Sequence, residues 1–258
     1  MSDEQGRPVA AVIGGGNGIG EAVCRLMHAR GWSVAVADID DAAARRVAGD
    51  TGGLAEELDI ADEATVERAA DRIERDAGPV AALVVAAAAF QDIVPAEELP
   101  IEEWERILRI NLTGTLIANK VFGRNMVRHG RGSIVNIASI AAFSSMPAEA
   151  YGASKAGVVH LTRNLAGEWG RAGVRVNAVS PGSTLVPRVE ERLDSGRYAA
   201  HPGEFTALGR MVEPDEVAEA VEFLASDRSS AITGQNIVVD AGWEVASTWA
   251  QFGGVREF

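Results

Sequence analysis

The sequence predicts an α/β protein built on one doubly wound parallel sheet of about seven strands, with helices on both faces. Two observations predict this fold. Apolar runs alternate with helical patterns along all 258 residues, which is typical of a parallel sheet covered on both sides. No linker, low-complexity stretch or longer repeat interrupts the alternation, so we expect residues 1–258 to form a single domain.

The first element is a strand that ends in a glycine-rich turn. The apolar run at 9–13 is followed by Gly14, Gly18 and Gly20 in the pattern Gly-x-x-x-Gly-x-Gly, and a helical pattern continues from 21 to 30. Glycines let bare backbone approach a pyrophosphate, and the start of a helix offers it partial positive charge. The pattern therefore predicts the dinucleotide site of a Rossmann fold.

The second strand carries an acidic residue at its end. The run at 33–37 leads into Asp38, twenty residues beyond Gly18. A carboxylate accepts hydrogen bonds from a ribose hydroxyl and repels a 2′-phosphate, so Asp38 favours NAD over NADP. Arg45 and Arg46 lie a turn or more into the next helical pattern, and we expect them to be less well placed for a phosphate. A cap on that helix is the alternative role for Asp38.

Tyr151 and Lys155 are four positions apart in a later helical pattern. That spacing puts a phenol and an ammonium on one face, about 6 Å apart along the axis. A positive charge stabilises phenolate, and lowering the tyrosine pKa by about 2–3 units would make Tyr151 an acid or base near neutral pH. For an isolated pair, the alternative is a packed tyrosine beside a lysine that extends to solvent.

Together these motifs resemble the short-chain dehydrogenase/reductase family, and the match extends along nearly all of the chain. The other segments that carry the resemblance are Leu58-Asp59-Ile60, Ile110-Asn111-Leu112-Thr113-Gly114, the run 134–139 that ends in Ser139, the loop 177–182 and the closing run 232–242. Ser139 lies twelve residues before Tyr151. The agreement of separate motifs in this order makes chance an inadequate explanation.

The resemblance implies a catalytic tetrad of Asn111, Ser139, Tyr151 and Lys155. Tyr151 would exchange a proton with the substrate oxygen, and Ser139 would hydrogen-bond that oxygen. Lys155 would hold the nicotinamide ribose and keep the tyrosine pKa low, and Asn111 would help hold a water that links the lysine to solvent. A purely structural role is the alternative for Ser139 and for Asn111.

The resemblance also implies a nicotinamide dinucleotide as cofactor, with NAD favoured by Asp38. The expected contacts are Gly14, Asn17, Gly18, Ile19, Gly20, Asp38, Ile39, Asp59, Ile60, Ala86, Ala87, Ala88, Tyr151, Lys155, Pro181, Gly182 and Thr184. We expect no catalytic metal, because the four histidines are scattered without the spacing of ligands.

Three positions depart from the family pattern. Val85-Ala86-Ala87-Ala88 replaces an Asn-Asn-Ala-Gly motif, Ile13 replaces a threonine before the first glycine, and Val186 stands where a threonine commonly bonds the nicotinamide carboxamide. Losing one partner of a buried hydrogen bond costs about 1–3 kcal/mol, whereas losing both is nearly neutral. We therefore hypothesise a compensated apolar contact between Ile13 and the segment 85–88. Ser183 and Thr184 are hydroxyls close to Val186.

Composition excludes several classes of function. Thirty-seven acidic against 24 basic side chains give a net charge of −13, which opposes binding to nucleic acid or anionic membranes. The longest apolar run, 80–90, is shorter than the roughly 20 residues that cross a bilayer, and we interpret it as a buried strand. The acidic start lacks the regions of a signal peptide. Cys24 is the only cysteine and is expected to pack in the core, so we expect a cytoplasmic protein.

Two late segments depart from the regular alternation. Residues 183–212 contain prolines, glycines and charges at the end of a predicted strand, where open α/β sheets bind ligands; we expect a substrate lid with a short helix at 189–193. Tyr198 and Phe205 either line a pocket or pack within the lid. Residues 243–258 concentrate aromatic rings, and we expect them to pack on their own subunit or to join an interface, since the family is commonly tetrameric.

The principal functional prediction is an NAD-dependent oxidoreductase that transfers a hydride between a small secondary alcohol or ketone and nicotinamide, with Tyr151 as general acid and base. An NADP-tolerant ketone reductase of 3-oxoacyl type is one alternative. A catalytically idle NAD-binding sensor is another, motivated by the departures at 85–88 and Val186.

Overall fold

A computed structural model describes residues 6–196, 198, 200–246 and 248–256. Seven strands form one parallel sheet. They are β1 (Val9–Ile13), β2 (Ser33–Asp38), β3 (Leu54–Glu57), β4 (Val80–Val85), β5 (Gly132–Ile137), β6 (Val174–Pro181) and β7 (Asn236–Val239). Their order across the sheet is β3-β2-β1-β4-β5-β6-β7. The predicted fold class is therefore confirmed.

Helices connect the strands on both faces. They are α1 (Gly18–Ala29), α2 (Asp41–Thr51), α3 (Glu63–Ala77), α4 (Ile101–Leu108), α5 (Gly114–His129), α6 (Glu149–Trp169), α7 (Pro187–Asp194), α8 (Pro214–Ala225) and α9 (Trp243–Ala246). A π-helical segment, Arg109–Thr113, joins α4 to α5. Within the described part of the chain, no helix is both long and apolar enough to cross a membrane.

The core lies in two layers because successive side chains of a strand point to opposite faces of the sheet. On β1, Ala11 and Ile13 pack in one buried cluster, and Ala10 and Val12 pack in the other. The first cluster also contains side chains of α3 and α5, and the second contains side chains of α1 and α8. Cys24 is buried in the second cluster, as expected from its neighbours.

The sheet order changes direction between β1 and β4. From β1 the chain proceeds outward to β2 and β3, then returns to place β4 on the other side of β1. Ligands of open α/β sheets bind at such a switch point, outside the carboxyl ends of the strands. The glycine turn follows β1 and the alanine segment 86–88 follows β4, so both lie at this edge.

The run at 80–90 is only partly a strand, which corrects the sequence interpretation. Pairing ends at Val85, and the backbone N–H groups of Ala86 and Ala87 donate to the carbonyl of Ile13 at 2.8 and 3.0 Å. Residues 86–90 therefore leave the sheet and pass over its carboxyl edge. The last of them, Phe90, contacts the candidate site.

The register of β1 and β4 pairs Ile13 with Val85. Both side chains are buried in the same cluster, so the apolar contact that we hypothesised between these departures is confirmed. That the loss of both hydrogen-bonding partners is nearly neutral for stability stays a prediction.

The lid and the tail have local order. The short helix expected at 189–193 is confirmed within α7, and a 3-10 turn covers Pro202–Phe205. Thr184 forms a parallel bridge with Val212, which ties the two ends of the lid together. In the tail, Trp249 and Phe252 are exposed in a second 3-10 turn. Phe258, the last ring of the predicted cluster, lies outside the described residues.

Candidate active site

The glycine turn fits against the backbone that follows β4. Gly14 has a φ of 80°, and a Cβ there would collide with the backbone of Ala87. At Gly20 a Cβ would collide with the Gly14 carbonyl. Gly18, with a φ of 53°, begins α1, and its nearest neighbour for a Cβ is Val186, 3.2 Å away. The turn therefore favours glycine at Gly14 and Gly20 for close backbone approach, and at Gly18 for its positive φ.

Asp38 lies at the carboxyl end of β2, and its carboxylate is turned toward the glycine turn. The N–H of Gly16 donates to Oδ2 at 2.9 Å, and the N–H of Asp40 donates to Oδ1 at 3.1 Å. Asp40, not Asp38, caps α2 through the N–H of Ala43. A carboxylate has about four lone-pair sites, so Asp38 retains capacity for ribose hydroxyls.

Arg46, expected from the sequence to be less well placed for a phosphate, lies close to the glycine turn. Its guanidinium donates to the carbonyl of Gly16 at 2.8 Å, inside the glycine turn. It also pairs with Glu21 at 2.6 Å. The hydrogen bond from Arg46 is the largest influence on that carboxyl and, with Arg25, holds the pKa of Glu21 at about 2. A cation therefore lies beside the predicted adenosine ribose site, already paired with a carboxylate.

The remaining residues predicted on the adenosine side are spread along the same edge. Asn17 is exposed at the start of α1, and its side chain caps no backbone group. Ile39 is 70% exposed. Asp59 accepts from the N–H of Ala61 at 2.9 Å, while Ile60 is buried in the core beneath α5.

Helix α6 carries Tyr151 and Lys155 toward the end of β5. The Nζ of Lys155 donates to the carbonyl of Ile137, the last residue of that strand, at 2.8 Å. The same nitrogen lies 5.7 Å from the centroid of the Tyr151 ring. Lys155 is 2% exposed, which rules out the alternative of a lysine that extends to solvent.

Ser139 follows β5 and lines the same cavity as Tyr151 and Lys155. It is buried, and its Oγ accepts from the N–H of Ala141, which starts a 3-10 turn. A side-chain hydrogen bond with Ser139 also acts on Tyr151. Ser139 therefore both caps a turn and faces the phenol, so the structural and chemical roles coincide.

The pKa of Tyr151 differs in direction from the sequence expectation. Burial raises it, while the hydrogen bond with Ser139 and the positive charge of Arg188 oppose that rise. Burial lowers the pKa of Lys155 from 10.5 to about 8, so the lysine is mostly protonated at neutral pH. The pKa of Tyr151 rises because a phenolate loses its solvation when it is buried, and the single ammonium of Lys155, which is bonded to a carbonyl, does not restore that solvation.

Asn111 lies in the π-helical segment between α4 and α5. Its Oδ1 accepts from the N–H of Ala89 at 2.7 Å, and its Nδ2 donates to the carbonyl of Ala89 at 2.9 Å and to Ser154 at 3.1 Å. The asparagine therefore fixes the segment after β4 against α6. π-Helical turns occur frequently at functional sites.

Three residues that the sequence did not single out surround the phenol. Phe90 stacks on Tyr151, with ring centroids 4.7 Å apart and planes inclined by 25°. The guanidinium carbon of Arg188 lies 3.2 Å from the centroid of the Phe90 ring. Gln91 accepts from the N–H groups of Ala150 and Tyr151 at 2.7 and 3.0 Å. No spacing rule connects these residues to Tyr151, because Phe90 and Gln91 lie 60 or more positions earlier in the chain and Arg188 lies on the lid. For Gln91, the only sequence signal is a lone amide after an apolar run.

The loop after β6 completes the cavity. Gly182 packs so closely on Asp240 that a Cβ would lie 2.7 Å from that side chain. Thr184 is buried, and its hydroxyl donates to the carbonyl of Gly182 at 3.1 Å. Val186 immediately precedes α7 and faces the start of α1. The hydroxyl of Thr184 is thus already bonded within the loop.

These elements enclose a cavity of about 100 Å³. Its lining includes Ile19, Ala86, Ala88, Ser139, Tyr151, Lys155, Pro181, Gly182, Thr184, Val186 and Arg188. The residues predicted for the nicotinamide side therefore meet at one place, and Asn111 supports it from behind. Asp38 and Asp59 lie along the edge toward β2 and β3. The cavity is smaller than the roughly 300–1,000 Å³ of most ligand sites.

Comparisons with known proteins agree with this geometry. A family model described as enoyl-(acyl carrier protein) reductase matches residues 14–244. D-threitol dehydrogenase of Mycolicibacterium smegmatis is 38% identical over 245 residues, 92% of this chain and 93% of that protein. Cis-4-hydroxycyclohexanecarboxylate dehydrogenase of Sinomonas cyclohexanicum is 36% identical over 251 residues, 94% of this chain and 99% of that protein.

A solved structure from Brucella melitensis 16M, named ribose-5-phosphate isomerase, is also similar. It is 46% identical, covers all of both chains and has a TM-score of 0.94. Its name denotes a different reaction from those of the dehydrogenases.

The parallel sheet, the glycine turn at its switch point and the adjoining cavity define an oxidoreductase that binds a nicotinamide dinucleotide. The chain belongs to the short-chain dehydrogenase/reductase family. It is accordingly an enzyme that acts on CH–OH groups, with small alcohols as substrates.

Proposed function

We propose that this chain is an NAD-dependent dehydrogenase of small secondary alcohols in which Tyr151 removes the hydroxyl proton. One observation carries the proposal: Tyr151, Ser139 and Lys155 line the cavity into which the loop at 181–184 and the segment after β4 also open. Proton-transfer groups and the residues expected to hold nicotinamide are therefore within one small space.

The cofactor fits this chain on its own residues. The glycine turn packs tightly on neighbouring backbone at Gly14 and Gly20 and leads directly into the start of α1, where a pyrophosphate would bind, and the carboxylate of Asp38 would hold the adenosine ribose. The loop at 181–184, with Lys155, would hold the nicotinamide half. When bound, the nicotinamide ring supplies the hydride acceptor or donor.

The side chains then divide the proton chemistry. During reduction the phenol of Tyr151 donates its proton to the substrate oxygen, and during oxidation the phenolate, the form that burial disfavours, accepts the hydroxyl proton. Ser139 donates a hydrogen bond to the substrate oxygen and stabilises the charge that develops there. Lys155, protonated at neutral pH because its pKa is about 8, contributes positive charge near the phenolate. Asn111 would help hold a water that links Lys155 to solvent.

A kinetic experiment tests the proposal. Absorbance of reduced nicotinamide is followed with a panel of polyols and cyclic alcohols, for the wild type, Tyr151→Phe and Ser139→Ala. Loss of a positioned acid or base reduces the rate by about 100- to 10,000-fold. We expect that loss in kcat for Tyr151→Phe, with NAD affinity unchanged by calorimetry. Equal rates for the wild type and Tyr151→Phe would contradict the assigned role.

NAD is proposed over NADP because the Asp38 carboxylate repels a 2′-phosphate. Arg46 is the observation that favours the alternative, an NADP-tolerant reductase of 3-oxoacyl type, since it reaches Gly16. The ratio of kcat/KM for NAD and NADP decides between them. We expect Asp38→Asn to reduce the preference for NAD, and a wild type that uses both equally would favour the reductase.

The idle NAD-binding sensor, the alternative from another class, is not proposed further, because the relatives of the chain are dehydrogenases. Isomerisation of a sugar phosphate is a further candidate because the Brucella chain bears that name. Its test is conversion of ribose 5-phosphate without added nucleotide. We expect no conversion, since a glycine turn and an acidic ribose ligand serve a dinucleotide rather than an aldose.

A further inference from the structure

The cavity wall formed by α7 contains an arginine with an unmet hydrogen bond. The Nη1 atom of Arg188 is shielded from solvent and has no hydrogen-bond partner among the described residues. Leaving a buried donor of a charged group unsatisfied is costly. Such a group is retained at little net cost where a ligand supplies the acceptor.

The guanidinium is fixed in position by rings. Its central carbon lies 3.2 Å from the centroid of Phe90, and Phe90 in turn lies 4.7 Å from the Tyr151 centroid. Contact with a ring face orients the cation but accepts none of its N–H groups in the plane. One ring therefore separates a cation with a free donor edge from the phenol that handles the proton.

The charge of the cavity is opposite to that of the chain. The net charge of the protein is −13, yet the charged residues that line the cavity are Lys155 and Arg188, with no carboxylate among its described lining residues. The neighbouring Arg192 adds further positive charge, and burial lowers the pKa of Arg188. A site of this composition favours an anionic ligand.

We propose that Arg188 recognises an oxyanion on the substrate itself, either a carboxylate or a phosphate. In such a substrate the oxyanion is separated from the reacting carbinol by only a few bonds, each about 1.5 Å long. The inference rests on the proposed function, because it assigns the substrate class of the same cavity. A planar fork of N–H donors suits both oxyanions. The carbinol would lie at Ser139 and Tyr151, and the anion would lie against Arg188.

Matched substrates test this class. Short hydroxy acids are compared with their carboxamides, and polyol phosphates with the free polyols, in wild type, Arg188→Met, Arg188→Lys and Arg192→Met. We expect wild-type kcat/KM to favour one charged series by about 10- to 100-fold. Arg188→Met should abolish that preference, because it lowers kcat/KM for the charged compounds by about 10- to 100-fold more than for their neutral partners. Arg188→Lys should retain part of it because charge remains while the fork is lost.

Arg192→Met is the matched control, since it removes a neighbouring charge from the same helix but leaves the guanidinium of Arg188 in the cavity, and it should keep most of the preference. The charged series that is preferred distinguishes carboxylate from phosphate. Equal kcat/KM for charged and neutral partners in the wild type, or an equal loss for both in Arg188→Met, would overturn the proposal. If Arg188→Met does not fold, Arg188→Lys supplies the same comparison.

Calorimetry of hydroxy acids and polyol phosphates on the NAD-loaded protein separates the two proposals. Binding of an anion that Arg188→Lys weakens, without turnover, would support anion recognition and contradict the dehydrogenase assignment. Turnover of neutral alcohols with no anion binding would do the reverse.

Discussion

The side-chain carbonyl of Gln91 accepts a hydrogen bond from the backbone N–H of Tyr151 at 3.0 Å, and a second from Ala150 at 2.7 Å. Helix α6 begins without a side-chain cap of its own at Ala148. Gln91, which lies in the loop after β4 and is distant in the sequence, therefore caps α6. It is a positioning residue, because it acts on the phenol through the backbone.

Replacing Gln91 by Met is expected to leave two N–H groups at the start of α6 unsatisfied. Each buried unsatisfied group costs about 1–3 kcal/mol, so we expect a lower denaturant midpoint at an unchanged slope. Because Tyr151 then loses its fixed backbone, kcat should fall more than NAD affinity. Gln91→Glu retains an acceptor, and in a Glu149→Gln background, which removes the carboxylate that the Gln91 amide contacts at 3.3 Å, it should lose less on both measures; identical behaviour of the two Gln91 variants would argue against a capping role.

Lys155 is expected to make stability depend on alkaline pH. Its pKa falls from 10.5 to about 8 on burial, so the unfolded chain binds more protons between these values. Stability therefore rises with pH across that window, by at most about 3 kcal/mol at 1.36 kcal/mol per pKa unit. The free energy of unfolding, measured by denaturant from pH 7 to 11, should rise in the wild type relative to Lys155→Met. Parallel curves for the two proteins would contradict the shifted pKa.

The contact between Ile13 and Val85 predicts the effect of restoring the family threonine alone. Ile13→Thr would bury a hydroxyl opposite an apolar partner, and the lost hydrogen bond to water costs about 1–3 kcal/mol. Ile13→Val removes one methylene and costs about 0.5–1.5 kcal/mol. The difference in denaturant midpoint between these nearly isosteric variants isolates the hydroxyl. A more stable threonine variant would show that the apolar pair is not compensated.

Phe252 in the aromatic tail is 82% exposed, and we expect it to contribute to an interface between copies of the chain. Phe252→Glu should reduce the mass measured by light scattering without changing the thermal midpoint of the monomer fold, because charge at an interface core opposes association. Ile93→Glu, at another exposed apolar side chain outside the tail, is the control. An unchanged mass in both variants would argue against an interface role and would favour a tail that packs on its own subunit.

The parts of the site that the sequence predicts are those with local geometry. The glycine turn, Asp38 at the end of β2 and the pair on one face of α6 each follow from a strand end or a helical period. Their placement at one edge follows from the parallel topology. The pattern of apolar runs therefore predicts the fold, and the helical spacing of Tyr151 and Lys155 predicts that the two side chains share a face.

The parts that it does not predict depend on loop paths. Phe90 reaches Tyr151 only because residues 86–90 leave the sheet, which an apolar run does not distinguish from a longer strand. Arg188 meets Phe90 because the lid folds back over the cavity. The pKa of Tyr151 also escaped prediction, since its direction depends on burial that no spacing reveals.

The pairing of Arg46 with Glu21 beside Gly16 has a consequence for how coenzyme choice could evolve. If NAD preference holds, it depends on two acids: Asp38 at the ribose, and Glu21, which keeps a guanidinium engaged at the mouth of the turn. Mutating Glu21 would release a phosphate-binding cation without altering the dinucleotide fingerprint. Relatives with the same glycine fingerprint could thus differ in coenzyme preference through the residue at the position of Glu21, which lies outside the fingerprint.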